Sequence, residues 1–151
     1  MEIIDSNNLD SRFKYDVAEH PGGENIKLCY ACGTCTAGCP VAEIDNEFNP
    51  RKIIRQVLLG MRKEVLSSPL IWRCVQCYSC TAKCPQNVKF RDIIRALREM
   101  AVKDGLADKA LIGEVAELDR LSQRLRRTMA AALIGDRKKF DELKKKVEQL
   151  A

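Results

Sequence analysis

The sequence predicts a mainly α-helical protein, on three observations. Apolar residues recur at helical spacing over most of the chain beyond residue 50. Helix-opening pairs stand before those stretches: Asn49 and Pro50, then Ser68 and Pro69, each a capping residue followed by a proline at the first helical position. Helix-ending residues follow at Gly60 and Gly105. The chain divides into an N-terminal extension (1–25), a cysteine-bearing core (26–104) and a C-terminal helical hairpin (105–151).

In the extension, Phe13, Tyr15 and Val17 alternate, which predicts a short strand, and Pro21, Gly22 and Gly23 form a loop. From Asn49 a helix carries Ile53, Ile54, Val57, Leu58 and Met61, with Val65 and Leu66 continuing its apolar side. A short turn opened by Ser68 holds Leu70, Ile71 and Trp72. Trp72 belongs either to the core or to a shield over the neighbouring cysteines. Phe90, Ile93, Ile94, Leu97, Met100 and Ala101 mark a further amphipathic helix. In the tail, Leu111, Val115, Leu118, Leu121, Leu125 and Met129 share a face. Gly135 and Asp136 break and restart it, and Phe140, Leu143, Val147 and Leu150 form a second stripe. The tail is expected to fold back as an αα-hairpin, its stripes serving intrachain packing or the docking of a partner subunit.

Composition removes several classes. The longest apolar run, residues 129–134, is far below the ~18 residues of a membrane span. The first ten residues carry acids where a secretory leader would carry bases, and no apolar segment follows. A hydrophobic content of 46% argues against disorder. The expectation is a soluble cytoplasmic chain, and in a reducing compartment eight cysteines point to metal rather than to disulfides.

Those cysteines form two brackets, Cys29, Cys32, Cys35, Cys39 and Cys74, Cys77, Cys80, Cys84, each C-x₂-C-x₂-C-x₃-C-P and offset by 45 residues. CYACGTCTAGCP lies over CVQCYSCTAKCP, with Thr36 on Thr81, Ala37 on Ala82 and Ile26 on Ile71. A Phe and an Ile-Ile-Arg follow each bracket: Phe48 with Ile53–Arg55, and Phe90 with Ile93–Arg95. The duplication predicts a pseudo-twofold core.

Three thiolates at this spacing, in a tight non-helical loop, can address three corners of one cubane. The fourth follows three residues later, and the proline after it turns it away, toward the other cluster. Cluster one then takes Cys29, Cys32, Cys35 and Cys84. Cluster two takes Cys74, Cys77, Cys80 and Cys39. Gly33 and Gly38 are expected to let backbone amides approach the sulfurs. Structural zinc prefers two separated C-x₂-C pairs over four cysteines within eleven residues. His20, the one histidine, is not needed as a ligand, since the thiolates suffice for two 4Fe–4S clusters. With a helix-rich stretch between Cys39 and Cys74, the core reads as an α-helical ferredoxin rather than a hairpin-built one.

The chain resembles the C subunit of heterodisulfide reductases over residues 26 to about 104. The resemblance rests on CYACGTCTAGCP, NPRKIIRQVLLG, SSPLIWRCVQCYSCTAKCPQNV and FRDIIRALREMA. The 28 residues before Cys29 are too few for the two-iron domain of succinate dehydrogenase iron–sulfur subunits. No adjacent cysteine pair offers the CCG domains fused in glycolate-oxidase-type subunits. The resemblance implies an electron relay with a flavin- and cluster-bearing A subunit on one side and a CCG-domain catalytic B subunit on the other. The alternatives are a free-standing two-cluster ferredoxin and a structural zinc protein.

No nucleophile–base dyad, phosphate loop or dinucleotide fingerprint accompanies the cysteines, so one-electron transfer without bond chemistry is expected, and the chain is not catalytic alone. Basic pairs such as Arg51-Lys52 and the run Lys144-Lys145-Lys146 read as solvated helix faces rather than a nucleic-acid surface. The formal charge of +5 also shrinks on loading. Each oxidised cubane with four thiolates carries roughly −2, which leaves a net charge of about +1.

Overall fold

The computed structural model describes residues 6–150, so the first five residues of the expected extension lie outside it. Nine α-helices follow in order among the described residues, with no strand: α1 (Phe13–Glu19), α2 (Thr34–Ala37), α3 (Pro40–Ile44), α4 (Pro50–Leu59), α5 (Arg62–Leu66), α6 (Ser79–Lys83), α7 (Phe90–Lys103), α8 (Ala110–Gly135) and α9 (Arg137–Glu148). Short 3₁₀ turns occupy Ser6–Asn8, Ile26–Leu28 and Pro69–Trp72. No helix among the described residues is long and apolar enough to cross a membrane.

The chain forms two compact units, Met1–Ile112 and Gly113–Ala151. The first is built round α4 and α7. Asn49 caps α4, its side chain accepting the Lys52 amide, and Pro50 takes the first position. Gly60 ends the helix in the left-handed region at φ +84°. Ser68 caps the next turn through the Leu70 amide. Ile53, Ile54 and Val57 of α4 and Ile93, Ile94 and Leu97 of α7 are buried in one cluster with Phe48 and Phe90. Those two rings meet edge to face at 6.4 Å and 61°.

The N-terminal strand expected from Phe13, Tyr15 and Val17 is instead helix α1. Phe13 and Val17, four residues apart, are fully buried, while Tyr15 is 47% exposed. Alternation and helical spacing coincide over such a short run, and burial of the i, i+4 pair decides between them. Residues counted as an extension therefore supply core. α1 packs on α4 and α7, and the Asp10 amide donates to Gly60 O at 2.8 Å.

In the second unit the break falls as expected. Asp136 caps α9 by accepting the Lys139 amide. Leu118, Leu121 and Leu125 are exposed, and no residue of α9 is buried.

Candidate metal centre

The repeat is written into the backbone around the cysteines. Ala31 and Gln76, at equivalent positions, both have positive φ (+60° and +54°). Gly33 and Tyr78, also equivalent, do as well (+84° and +63°). Each such residue other than glycine costs about 1–2 kcal/mol, so the surroundings must hold it in place. Two left-handed turns within five residues swing successive thiols toward one side. Each bracket then enters a single helical turn, α2 or α6, containing Cys35 or Cys80. The third cysteine is thus helical, where a wholly non-helical loop was expected: the residue preceding each helix is left-handed and restarts a right-handed turn. The fourth cysteines, Cys39 (φ −92°, ψ 118°) and Cys84 (φ −76°, ψ 116°), leave that turn in extended conformation. The prolines after them disfavour the α region there.

The brackets interlock. α2 packs against α6, and Ser79 Oγ donates to Gly38 O at 2.9 Å. A Cβ on Gly38 would lie 2.8 Å from Lys83 Nζ, the mobile end of a side chain from the other bracket. The Gly38 amide goes to Thr34 O (3.1 Å) rather than to a sulfur. The Val88 amide does reach sulfur, 3.3 Å from Cys84 Sγ.

Two cavities result. One is lined by Cys29, Cys32 and Cys35 of the first bracket and by Cys80 and Cys84 of the second, with Ile54, Val88, Phe90 and Arg51. The other is lined by Cys74, Cys77 and Cys80 of the second bracket and by Cys39 of the first, with Val41, Phe48, Phe90 and Arg91. The fourth cysteine of each bracket faces the cavity formed by the other. Cys80 and Phe90 line both cavities. Among the described residues no three or more Cys, His, Asp or Glu form a group that could hold a single metal ion. His20 lies 3.7 Å from Glu99 instead.

The surroundings fit an anionic, metal-bearing group. Burial pushes the Cys35 and Cys74 thiols up to about 11, so their thiolates need a cation beside them at neutral pH. Burial also raises Cys80. Exposed Cys32 moves the other way, its thiolate favoured by the Thr34 hydroxyl at 3.3 Å. Two buried donors, Thr81 Oγ1 and Arg91 Nε, have no hydrogen-bond partner among the described residues. Thr81 adjoins Cys80 and Arg91 lines the second cavity, where acceptor sulfurs would satisfy such donors.

Arg51 and Arg91 are the functional residues that sequence reading missed. They hold equivalent places before the two Ile-Ile-Arg runs, and each lines one cavity. The coincidence of position within the repeat was the available signal. Trp72 is partly buried against the core, with the Arg98 guanidinium 5.5 Å from its ring centroid.

Residues 25–88 match the family model of the 4Fe-4S dicluster domain. Over 103 residues, 68% of this chain and 55% of the relative, the sequence is 37% identical to the C subunit of H(2):CoB-CoM heterodisulfide,ferredoxin reductase from Methanothermobacter thermautotrophicus. It is 45% identical over 82 residues, 54% of this chain and 43% of the relative, to the CoB–CoM heterodisulfide reductase iron-sulfur C subunit 2 of Methanocaldococcus jannaschii. A heterodisulfide reductase C-subunit-like protein of Archaeoglobus profundus is 33% identical over 101 residues, 67% of this chain and 51% of its own length. The chain spans about half the length of the curated relatives it matches. With its duplicated brackets, helical core and 4Fe–4S dicluster domain, the chain is similar to the C subunits of heterodisulfide reductases over about two thirds of its own length.

Proposed function

We propose that this chain is the electron-relay subunit of a heterodisulfide-reductase-type complex, holding two 4Fe–4S clusters with one cysteine exchanged between the brackets. The observation that supports the reading is the lining of the cavities: Cys84 of the second bracket borders the first with Cys29, Cys32 and Cys35, Cys39 of the first bracket borders the second with Cys74 and Cys77, and Cys80 borders both. Each bound cluster supplies a one-electron couple. The chain's own residues do the rest. The left-handed residues Ala31, Gly33, Gln76 and Tyr78 aim the thiols. Ile54, Val88, Phe48 and Phe90 exclude water, and Arg51 and Arg91 offset negative charge.

The second cysteine of each bracket, Cys32 or Cys77, is exposed. Tyr30 (60% exposed) and Val75 (44%) lie beside them at equivalent positions. These two openings are where electrons enter and leave, and the shared wall of Cys80 and Phe90 is the passage between the sites. The proposed partners are the flavoprotein A subunit plus the CCG-domain B subunit, in the cytoplasm, with the bond chemistry on the latter.

Anaerobic purification followed by iron and sulfide analysis tests the cofactor: about eight of each per chain are expected, and a colourless zinc protein would overturn the reading. Affinity purification from the native organism tests the role. A CCG-domain protein and a flavoprotein are expected to co-purify. A chain recovered alone at full cluster content would point to a free-standing ferredoxin instead.

A further inference from the structure

The duplicated halves differ at one buried charge. Arg98 of α7 is 6% exposed. Its Nε donates to Ile71 O (2.9 Å), and its Nη2 donates to Trp72 O (3.2 Å) and Cys74 O (2.9 Å). One guanidinium thus gathers carbonyls of the 3₁₀ turn and of the first cysteine of the second bracket, using the planar fork that lysine lacks. Counting from the Ile-Ile-Arg runs, the equivalent residue of α4 is Leu58, which has neither charge nor donor. α4 packs on the Ile26–Leu28 turn as α7 packs on Pro69–Trp72, so the two contacts correspond while this side chain differs.

We propose that Arg98 makes the cluster at Cys39, Cys74, Cys77 and Cys80 the higher-potential member of the pair, by holding its loop and placing a buried positive charge behind Cys74. The inference rests on the two-cluster reading above. Reduction adds one negative charge to a cluster, and a nearby cation in a poorly screened interior stabilises that form. The other cationic contributions nearly balance. Arg51 at the first cavity is exposed and screened by solvent. Arg91 at the second is paired with Asp92 at 2.8 Å. An electron shared by the pair then rests on the second cluster. The first is oxidised as the second is reduced, by one electron, with no bond made or broken.

The test is an EPR-monitored redox titration of the full, cluster-loaded chain. Two one-electron midpoints are expected, the upper belonging to the signal that Cys77→Ser alters and the lower to the one that Cys32→Ser alters. The reverse order, or equal midpoints, overturns the proposal. Arg98→Gln should lower the upper midpoint and leave the lower in place; an unchanged separation overturns the proposal. Arg98→Lys keeps the charge and loses the fork. It should preserve the separation while shedding the second cluster faster under chelator, and a separation that collapses as in Arg98→Gln overturns the charge assignment. If Arg98→Gln loads only the first cluster, the wild-type order and the Arg98→Lys separation decide. A wild-type chain without two clusters overturns the relay reading itself, whereas two clusters in the wrong order overturn this inference alone.

Discussion

Thr36 Oγ1 donates to Asn49 Oδ1 at 3.0 Å, and the same Oδ1 receives the Lys52 amide at 3.0 Å. Thr36 in turn accepts the Arg51 amide at 3.0 Å. The helical turn of the first bracket is thereby fastened to the N-terminus of α4, which carries Arg51 to the first cavity. Thr36→Val should cost about 1–2 kcal/mol in stability, and Asn49→Ala about 1 kcal/mol through the lost cap. Because both act through one oxygen, the double variant should cost less than the sum. Denaturant unfolding of the four proteins measures this, and strict additivity would contradict the shared bond.

Gly60 carries the N-terminal segment. A Cβ there would overlap the Asp10 backbone, and φ is +84°. Gly60→Ala should destabilise by more than the ~1–2 kcal/mol of the left-handed conformation alone. It should also raise amide exchange in α1 before the rest of the unit. Uniform exchange throughout would show that α1 is not held at this contact.

Phe13 is fully buried. Phe13→Ala should cost about 3–5 kcal/mol, as for other large core aromatics. A loss below ~1 kcal/mol in thermal or chemical unfolding would return residues 1–25 to the status of an appended extension.

Removing iron should unfold much of residues 26–104, since the eight thiols line two cavities between the brackets and metal binding is coupled to folding. Circular dichroism of chelator-treated protein should lose helical signal and melt lower. An apo form with unchanged helicity and melting would contradict this coupling.

Much of this architecture is legible in the sequence because it depends on local chemistry. Asn49-Pro50, Ser68-Pro69, Gly60 and Asp136 act within a few residues, and each does in the structure what its residue type requires. The exchange of Cys39 and Cys84 was an expectation from spacing and proline; in the structure Cys84 lines the first cavity, Cys39 the second, and Cys80 both. What escaped depends on packing at a distance. Phe13 and Val17 fit strand and helix equally over five residues, and only their burial against α4 and α7 separates the two. Gly38 was read as serving sulfur contacts, but its amide goes to Thr34 O. Arg98 sits in the apolar stripe between Ile94, Leu97 and Ala101. A charge at that position was the visible clue to a buried role, but its carbonyl partners lie more than twenty residues away.

The central claim is the exchanged ligand, and one comparison tests it most directly: EPR spectra of the reduced Cys39→Ser, Cys77→Ser and Cys32→Ser proteins. Cys39→Ser should perturb the same cluster signal as Cys77→Ser and leave untouched the one that Cys32→Ser alters. A Cys39→Ser spectrum that instead matches Cys32→Ser would mean that each bracket closes on its own cluster, and would contradict the account.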